Sequence, residues 1–308
     1  MNLESAPDGS VGGGGLLTRV AFAAVVVLGV AVIGTTYAIV VEEAVPAPVI
    51  ASQGANVPRP AGATVEVTYI ANEGVLLAAD GKQVLIDGLH REYEPSYPFL
   101  PQPYRDQIET ARPPFDRIDL VLVSHFHLDH FHPEAVASYL RHNPRAVLVS
   151  SAQVAGEVEA KGGDYAAIRP RVTASTPALR ERRPLTAGGV TSELLGVGHV
   201  NARHRTVQNL GHLITLGGKT LLHVGDADVS PENFDAFDLE SRGIDVAFLP
   251  VWFLTSDAGA ALIRDHIRPK HLVAVHLPAS DPARDVARIQ ARFPDAVAFT
   301  ALLEKRYY

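Results

Sequence analysis

Four metal-ligand side chains fall within six residues in Ser124-His125-Phe126-His127-Leu128-Asp129-His130, directly after the apolar run Val121-Leu122-Val123. A sheet presents binding side chains at the carboxyl ends of its strands, so this pattern calls for a strand that ends at His125. His125 and His127 are two apart, and an extended loop aims both imidazoles at one ion. Asp129 and His130 lie beyond a short turn and face a second position. The 308-residue chain has 13 histidines and no cysteine. That excludes Cys-based zinc fingers, iron–sulfur clusters, thiol nucleophiles and disulfides, and leaves histidines and carboxylates to build any metal site.

Three more ligand-type residues stand in matching places. Val190–Val197 ends at Gly198-His199, Leu221–Val224 at Gly225-Asp226, and Leu272–Val275 at His276. A glycine before two of them permits close backbone approach. Thr64–Ile70, Val75–Ala79 and Gln83–Asp87 read as strands, the last two joined by the turn dipeptide Asp80-Gly81. Further strands are expected at Ile118–Ser124, Ala146–Val149, Val207–Leu216, Thr220–Val224, Ile244–Pro250 and His271–His276. Helices are expected at Pro133–Arg141, Ala152–Ala160, Asp257–Ile267 and Ala283–Phe293. Leu89–Pro114 holds six prolines and three tyrosines without a period and reads as a long functional loop. Strands in runs, then alternating with helices, imply sheets with helices on their outer faces.

Ahead of this domain, expected over residues 64–308, lie a tail (1–19), an apolar run (20–41) and a Pro-rich linker (42–63). Val20–Val41 carries no charge. As a helix at roughly 1.5 Å per residue it would cover about 33 Å, enough for a bilayer core. It is longer than a usual signal-peptide core, so a retained single-pass anchor is expected, with a cleaved, secreted form as the minor alternative. Arg19 before the run and Glu42-Glu43 after it place the main domain outside the cytoplasm by the positive-inside rule. A net charge of −7 argues against nucleic acid as a partner. The dense basic cluster Arg180, Arg182 and Arg183 is explained by a solvated face.

The ordered set His125-Phe126-His127-Leu128-Asp129-His130, Gly198-His199, Gly225-Asp226 and His276 resembles the metallo-β-lactamase fold superfamily of metal-dependent hydrolases. Ile86-Asp87-Gly88 looks like that family's turn beneath the metal site. Asn209-Leu210-Gly211-His212 and His223-Val224-Gly225-Asp226 are most similar to its ascorbate-phosphate-lactonase-like and phospholipase-D-like group. The resemblance implies an α/β fold, an αββα sandwich of two β-sheets with helices outside. It implies two divalent transition-metal ions, zinc foremost, with manganese or iron also accepted. One ion takes His125, His127 and His199; the other takes Asp129, His130 and His276; Asp226 bridges. A bridging hydroxide, oriented by the catalytic Asp129, would attack a small ester, lactone or phosphodiester. An outward-facing nuclease and a non-catalytic binding module are the alternatives.

Around this set, Asp87 is expected to hold a ligand histidine in its tautomer. Asp228 is expected beside the ligands or capping the helix that begins near Pro231, and His132 beside the ligands or at the surface. His223 reads as structural, His212 as core or pocket wall, and His266 and His271 as solvent-facing. Tyr93, Tyr97 and Tyr104 of the long loop, with Trp252, are the expected walls of a substrate pocket.

Overall fold

The computed structural model describes residues 30–32, 35–37, 60–62 and 64–308. The chain divides into two units, Met1–Val49 and Ile50–Tyr308. Within the first, Val30–Val32 pairs antiparallel with Thr35–Tyr37. The helix expected over 20–41 is therefore not present at these six residues, which pair as strands; the rest of the apolar run lies outside the described residues. Among the described residues no helix is long and apolar enough to cross a membrane.

In the second unit, β1 (Glu66–Tyr69), β2 (Val75–Ala79) and β3 (Lys82–Ile86) form an antiparallel meander. Asp80 and Gly81 both take positive φ, 51° and 73°, which matches the twist of a tight hairpin. β3 then pairs in parallel with β4 (Leu120–Val123), β4 with β5 (Val147–Ser150), and β5 with β6 (Val172–Ala174). The second sheet repeats the scheme. β7 (Arg182–Ala187), β8 (Val190–Gly196), β9 (Leu210–Leu216) and β10 (Lys219–His223) are antiparallel neighbours. β11 (Val246–Pro250), β12 (His271–Val275) and β13 (Val297–Ala298) continue in parallel. The last strand, β14 (Lys305–Tyr307), returns to pair with β1 in the first sheet.

β4 is buried along its whole length, and alternation sends its side chains into two different layers. Leu120 and Leu122 join Val67 and Leu77 and, from the second sheet, Ile214, Val246 and Val273 in one core. Val121 and Val123 instead pack with Val136 and Leu140 of α2 (Pro133–His142) and Val154 and Val158 of α3 (Ala152–Lys161). The far face of the second sheet, including Leu222, Val224 and Leu249, packs against Leu262 of α4 (Asp257–Leu262) and Ile289 of α5 (Pro282–Arg292). The architecture is two mixed sheets with helices, as expected.

Two local readings need correction. Leu89–Pro114 is not wholly loop: α1 (Tyr104–Glu109) forms inside it. Tyr104 and Ile108, four apart, lie on one helical face, and both pack into the outer core of the first sheet. The helix expected over Asp257–Ile267 ends at Leu262 and continues as a π-turn, Ile263–Ile267. The edge strands β6, β7, β13 and β14 carry too little apolar pattern to announce themselves. β7 alternates exposed and half-buried residues, so the basic cluster does meet solvent.

Candidate metal centre

The site begins at the residue after β4. Ser124 is locked from below by Asp87, whose Oδ1 accepts from the Ser124 amide at 2.7 Å and whose Oδ2 accepts from Ser124 Oγ at 2.6 Å. Asp87 Oδ2 also lies 3.0 Å from His130 Nδ1. That bond turns His130 Nε2 toward the site, the orienting role expected of Asp87. Burial alone would raise the Asp87 pKa, but the His130 and Ser124 hydrogen bonds outweigh it and hold the carboxyl well below the usual range.

The second sheet brings the other ligands to a shared edge. β8, β10 and β12 run in the same direction, so His199, Asp226 and His276 all emerge past their carboxyl ends. Gly225 sits at φ 55°, and a Cβ there would lie 2.7 Å from that of Ser124. Only glycine lets the two strand ends approach closely enough to present Asp226 beside His125. His276 also adopts a left-handed φ of 57°, uncommon for a side chain of its size, while its amide donates to the Asn72 carbonyl at 3.1 Å.

All seven expected ligands fall into two groups. His125, His127, His199 and Asp226 place one ligand atom each within 4.8 Å of one another, and so do Asp129, His130 and His276. Asp226 lies between them. Its Oδ2 is 3.4 Å from His199 Nε2 and 3.9 Å from His125 Nε2. Its Oδ1 is 3.4 Å from His130 Nε2 and 3.5 Å from His276 Nε2. Asp129 Oδ2 approaches the same two nitrogens at 3.4 and 3.2 Å.

The donor chemistry fits metal ions. His130 Nε2, His199 Nε2, His276 Nε2 and Asp226 Oδ1 are buried and have no hydrogen-bond partner. Polar atoms buried in that state carry a desolvation cost that a cation would offset. Burial, helped by neighbouring histidines, pushes His125 well below its ordinary pKa and His127 down to about 4. Both imidazoles are therefore neutral at physiological pH, the form that ligates. At His130 burial acts in the same direction, but Asp226 and Asp129 override it and raise the pKa. The two carboxylates thus call for positive charge at this point.

The aromatic walls are partly as expected. Tyr97 meets His276 edge-on with ring centroids 5.4 Å apart and stacks on Tyr93 at 6.2 Å. Trp252 packs against His276 at 5.2 Å and donates its Nε1–H to the Ala227 carbonyl at 3.0 Å. Tyr104 does not belong here, because α1 turns it into the outer core. A cleft of about 410 Å³ opens over His127 and Asp129 and is lined by Tyr93 and Tyr97. A second concavity, of about 420 Å³, surrounds Lys82 at the opposite end of β3 and holds no candidate ligand.

Asp228 does not cap the short helix Pro231–Asn233, which carries no side-chain cap; its Oδ1 instead closes a turn by accepting from the Ser230 amide at 2.9 Å. His132 does not reach the ligands. It is the residue before α2, and its amide donates to the Leu89 carbonyl at 2.8 Å as the chain turns away. His223 is buried and contacts the Glu73 carbonyl at 3.2 Å, a structural role. His212 is fully buried core. His271 is exposed and His266 half-exposed.

Four neighbours of the site escaped sequence reading. Asn72 Nδ2 donates to the Asp129 carbonyl at 3.0 Å and to Asp129 Oδ2 at 3.2 Å. His204 Nδ1 lies 3.1 Å from His127 Nε2. Glu73 is fully buried, 3.7 Å from both His130 Nδ1 and His223 Nε2. His90 is buried against the Ala71 carbonyl at 3.3 Å. None stands at a strand end in a ligand pattern, so no local signal marks them.

This fold and ligand set define a metallo-β-lactamase-type hydrolase scaffold. Residues 83–293 match the family described as the beta-lactamase superfamily domain. The chain belongs to that superfamily of metal-dependent hydrolases. Solved structures share the fold. Igni18, a metallo hydrolase from Ignicoccus hospitalis, is 20% identical, with 80% of this chain and 98% of that one covered at a TM-score of 0.53. A metal-dependent hydrolase from Parabacteroides distasonis is 17% identical over 81% and 99% of the two chains, TM-score 0.55. YhfI from Bacillus subtilis, a metallo-β-lactamase fold protein, is 16% identical over 80% and 100%, TM-score 0.51. No curated protein matches the chain.

Proposed function

We propose that this protein is a dinuclear metallohydrolase acting on a small ester, lactone or phosphodiester. The observation that carries the reading is the Asp226 carboxylate, one oxygen turned to each ligand group. Two cations close together need an anion between them to offset their repulsion, and a carboxylate with two free oxygens supplies it. His125, His127 and His199 would hold one ion, and Asp129, His130 and His276 the other. Zinc suits this set best, with manganese or iron accepted. A bound pair of divalent cations supplies a water activated near neutral pH and polarises the scissile carbonyl or phosphoryl group.

The chain's own residues do the rest. Asp129, pinned by Asn72, is fixed to orient the attacking water. Asp87 keeps His130 in the ligating tautomer. Tyr97 and Trp252 shield His276 on two sides and restrict solvent. We further propose that residues 20–41 anchor the domain to a membrane, the domain lying outside. Elemental analysis after purification without chelator tests the first reading, together with turnover panels of esters, lactones and phosphodiesters with each metal. Two ions per chain and metal-dependent turnover are expected; a stoichiometry near zero under metal-replete conditions refutes it.

A further inference from the structure

Among the described residues three large apolar side chains stand well exposed: Tyr93 at 49%, Leu128 at 42% and Leu179 at 67%. Isolated exposed apolar residues are ordinary, but two of these three, Tyr93 and Leu128, line the cleft over the metal ligands. Leu128 sits between the ligands His127 and Asp129. Those neighbours turn inward, and Leu128 is left facing solvent at the mouth of the site. Half-buried Phe126 lines the same wall, and the Tyr93–Tyr97 stack carries the apolar surface as far as His276.

The charges of the cleft point the same way. Its lysine, Lys161, is paired with Glu157 at 2.6 Å. Glu94 also lines the cleft and makes no ion pair among the described residues. The wall therefore offers no unpaired lysine or arginine to an anionic substituent and opposes one with a carboxylate. Arg203 and Arg205 are exposed on the neighbouring turn but do not line the cleft.

We propose that the substrate is an uncharged carboxylic ester or lactone bearing an apolar alkyl or aryl group, which lies along Tyr93, Tyr97, Phe126 and Leu128. This rests on the hydrolase reading above and narrows it, setting phosphodiesters aside. Water hydrolyses the ester C–O bond: the acyl carbon gains the hydroxyl and the leaving alkoxide takes up a proton.

The test uses the full-length, metal-loaded chain and p-nitrophenyl esters of increasing acyl length. Full burial of a methylene is worth roughly four-fold, so in this open cleft kcat/KM should rise about two-fold per added carbon. Leu128→Ser and Tyr93→Ser should flatten that slope, each protein serving as its own reference, with thermal melting to verify folding. Methyl-terminated chains should outperform carboxylate-terminated chains of equal length. A flat slope in the unaltered protein, or preference for the carboxylate, overturns the inference. A parallel calorimetric series of alkyl hydroxamates separates the two levels of failure. Affinity that rises with chain length while no ester, lactone or phosphodiester turns over sinks the hydrolase reading but leaves the apolar preference standing. Affinity that ignores chain length refutes the preference whatever the turnover.

Discussion

Asp226 and Asp228 are two residues apart, yet the structure gives them unrelated work, so converting each to asparagine is a sharp comparison. Asn preserves shape and one carbonyl oxygen but removes the charge. At Asp226 one of the two oxygens becomes an NH₂, which cannot ligate a cation. The NH₂ takes the place of an oxygen that faces either His199 and His125, at 3.4 and 3.9 Å, or His130 and His276, at 3.4 and 3.5 Å. On the proposed dinuclear reading, one ion group would lose its share of the carboxylate and the pair its bridging anion. Changes beyond the ligands typically cost about 10–100-fold in metal affinity or activity, roughly 1.4–2.8 kcal/mol. Loss of a direct, charged ligand should exceed that range. Asp228→Asn instead keeps an acceptor for the Ser230 amide now held at 2.9 Å, so both ions should remain. Its stability should change by less than the roughly 0.5–2 kcal/mol of a lost cap. Metal content by elemental analysis, affinity by chelator competition and turnover should all be read on the same preparations. If Asp228→Asn sheds metal and Asp226→Asn keeps both ions, the bridge has been assigned to the wrong aspartate.

Other expected outcomes follow from the same contacts. Asp87→Ala strips the partner from the buried Ser124 amide, its hydroxyl and His130 Nδ1, and should destabilise the fold by about 3 kcal/mol or more in denaturant titrations; an unchanged midpoint would remove Asp87 from its supporting role. His204→Ala should weaken one ion by about 10–100-fold in chelator competition, and His204→Asn, which retains an acceptor, should recover much of it; equal affinity in all three proteins would leave His204 a bystander. Chelation should lower the melting temperature, since it strands His130, His199 and His276 nitrogens without partners, and differential scanning fluorimetry with and without chelator reads this directly. Burial pushes His212 down to about 3, below the roughly 6.5 of an unfolded chain, so the unfolded state takes the proton first. Its contribution is intact above about pH 6.5 and is lost as pH falls toward 3, by at most about 1.4 kcal/mol per unit. Metal-free His212→Leu should accordingly lose less stability between pH 6.5 and 5 than the parent; identical losses in urea titrations would contradict this.

The candidate ligand set was legible because each member sits where an apolar strand runs out, and a strand's direction can be read from local pattern. The grouping into two sets was carried by family resemblance, and the Asp226 distances agree with it. The supporting shell was legible only in part. Asp87 stood at a strand end, whereas Asn72, Glu73 and His204 lie in turns whose partners are remote in sequence. Asp228 and His132 show the opposite error: adjacency to a ligand in sequence suggested adjacency in space, but one closes a turn and the other precedes a helix that leads away. Tyr104 was drawn into the pocket by its neighbours in a Pro/Tyr-rich stretch. A short helix, with Ile108 four residues on, gave it a better burial elsewhere.

What the residues determine locally is chemical: which side chains can bind a cation, that cysteine chemistry is absent, and that strands deliver these histidines and carboxylates at their ends. Which oxygen of Asp226 faces which histidines was decided only by packing two seven-stranded sheets so that their strand ends meet. The same packing decided that Leu128 faces outward and that His127 leans on His204. Those outcomes depend on contacts between residues up to about a hundred positions apart, as between His125 and Asp226, and only a shared core sets their distances. Strand periodicity is a property of neighbours along the chain, whereas a metal site's spacing is a property of neighbours across it.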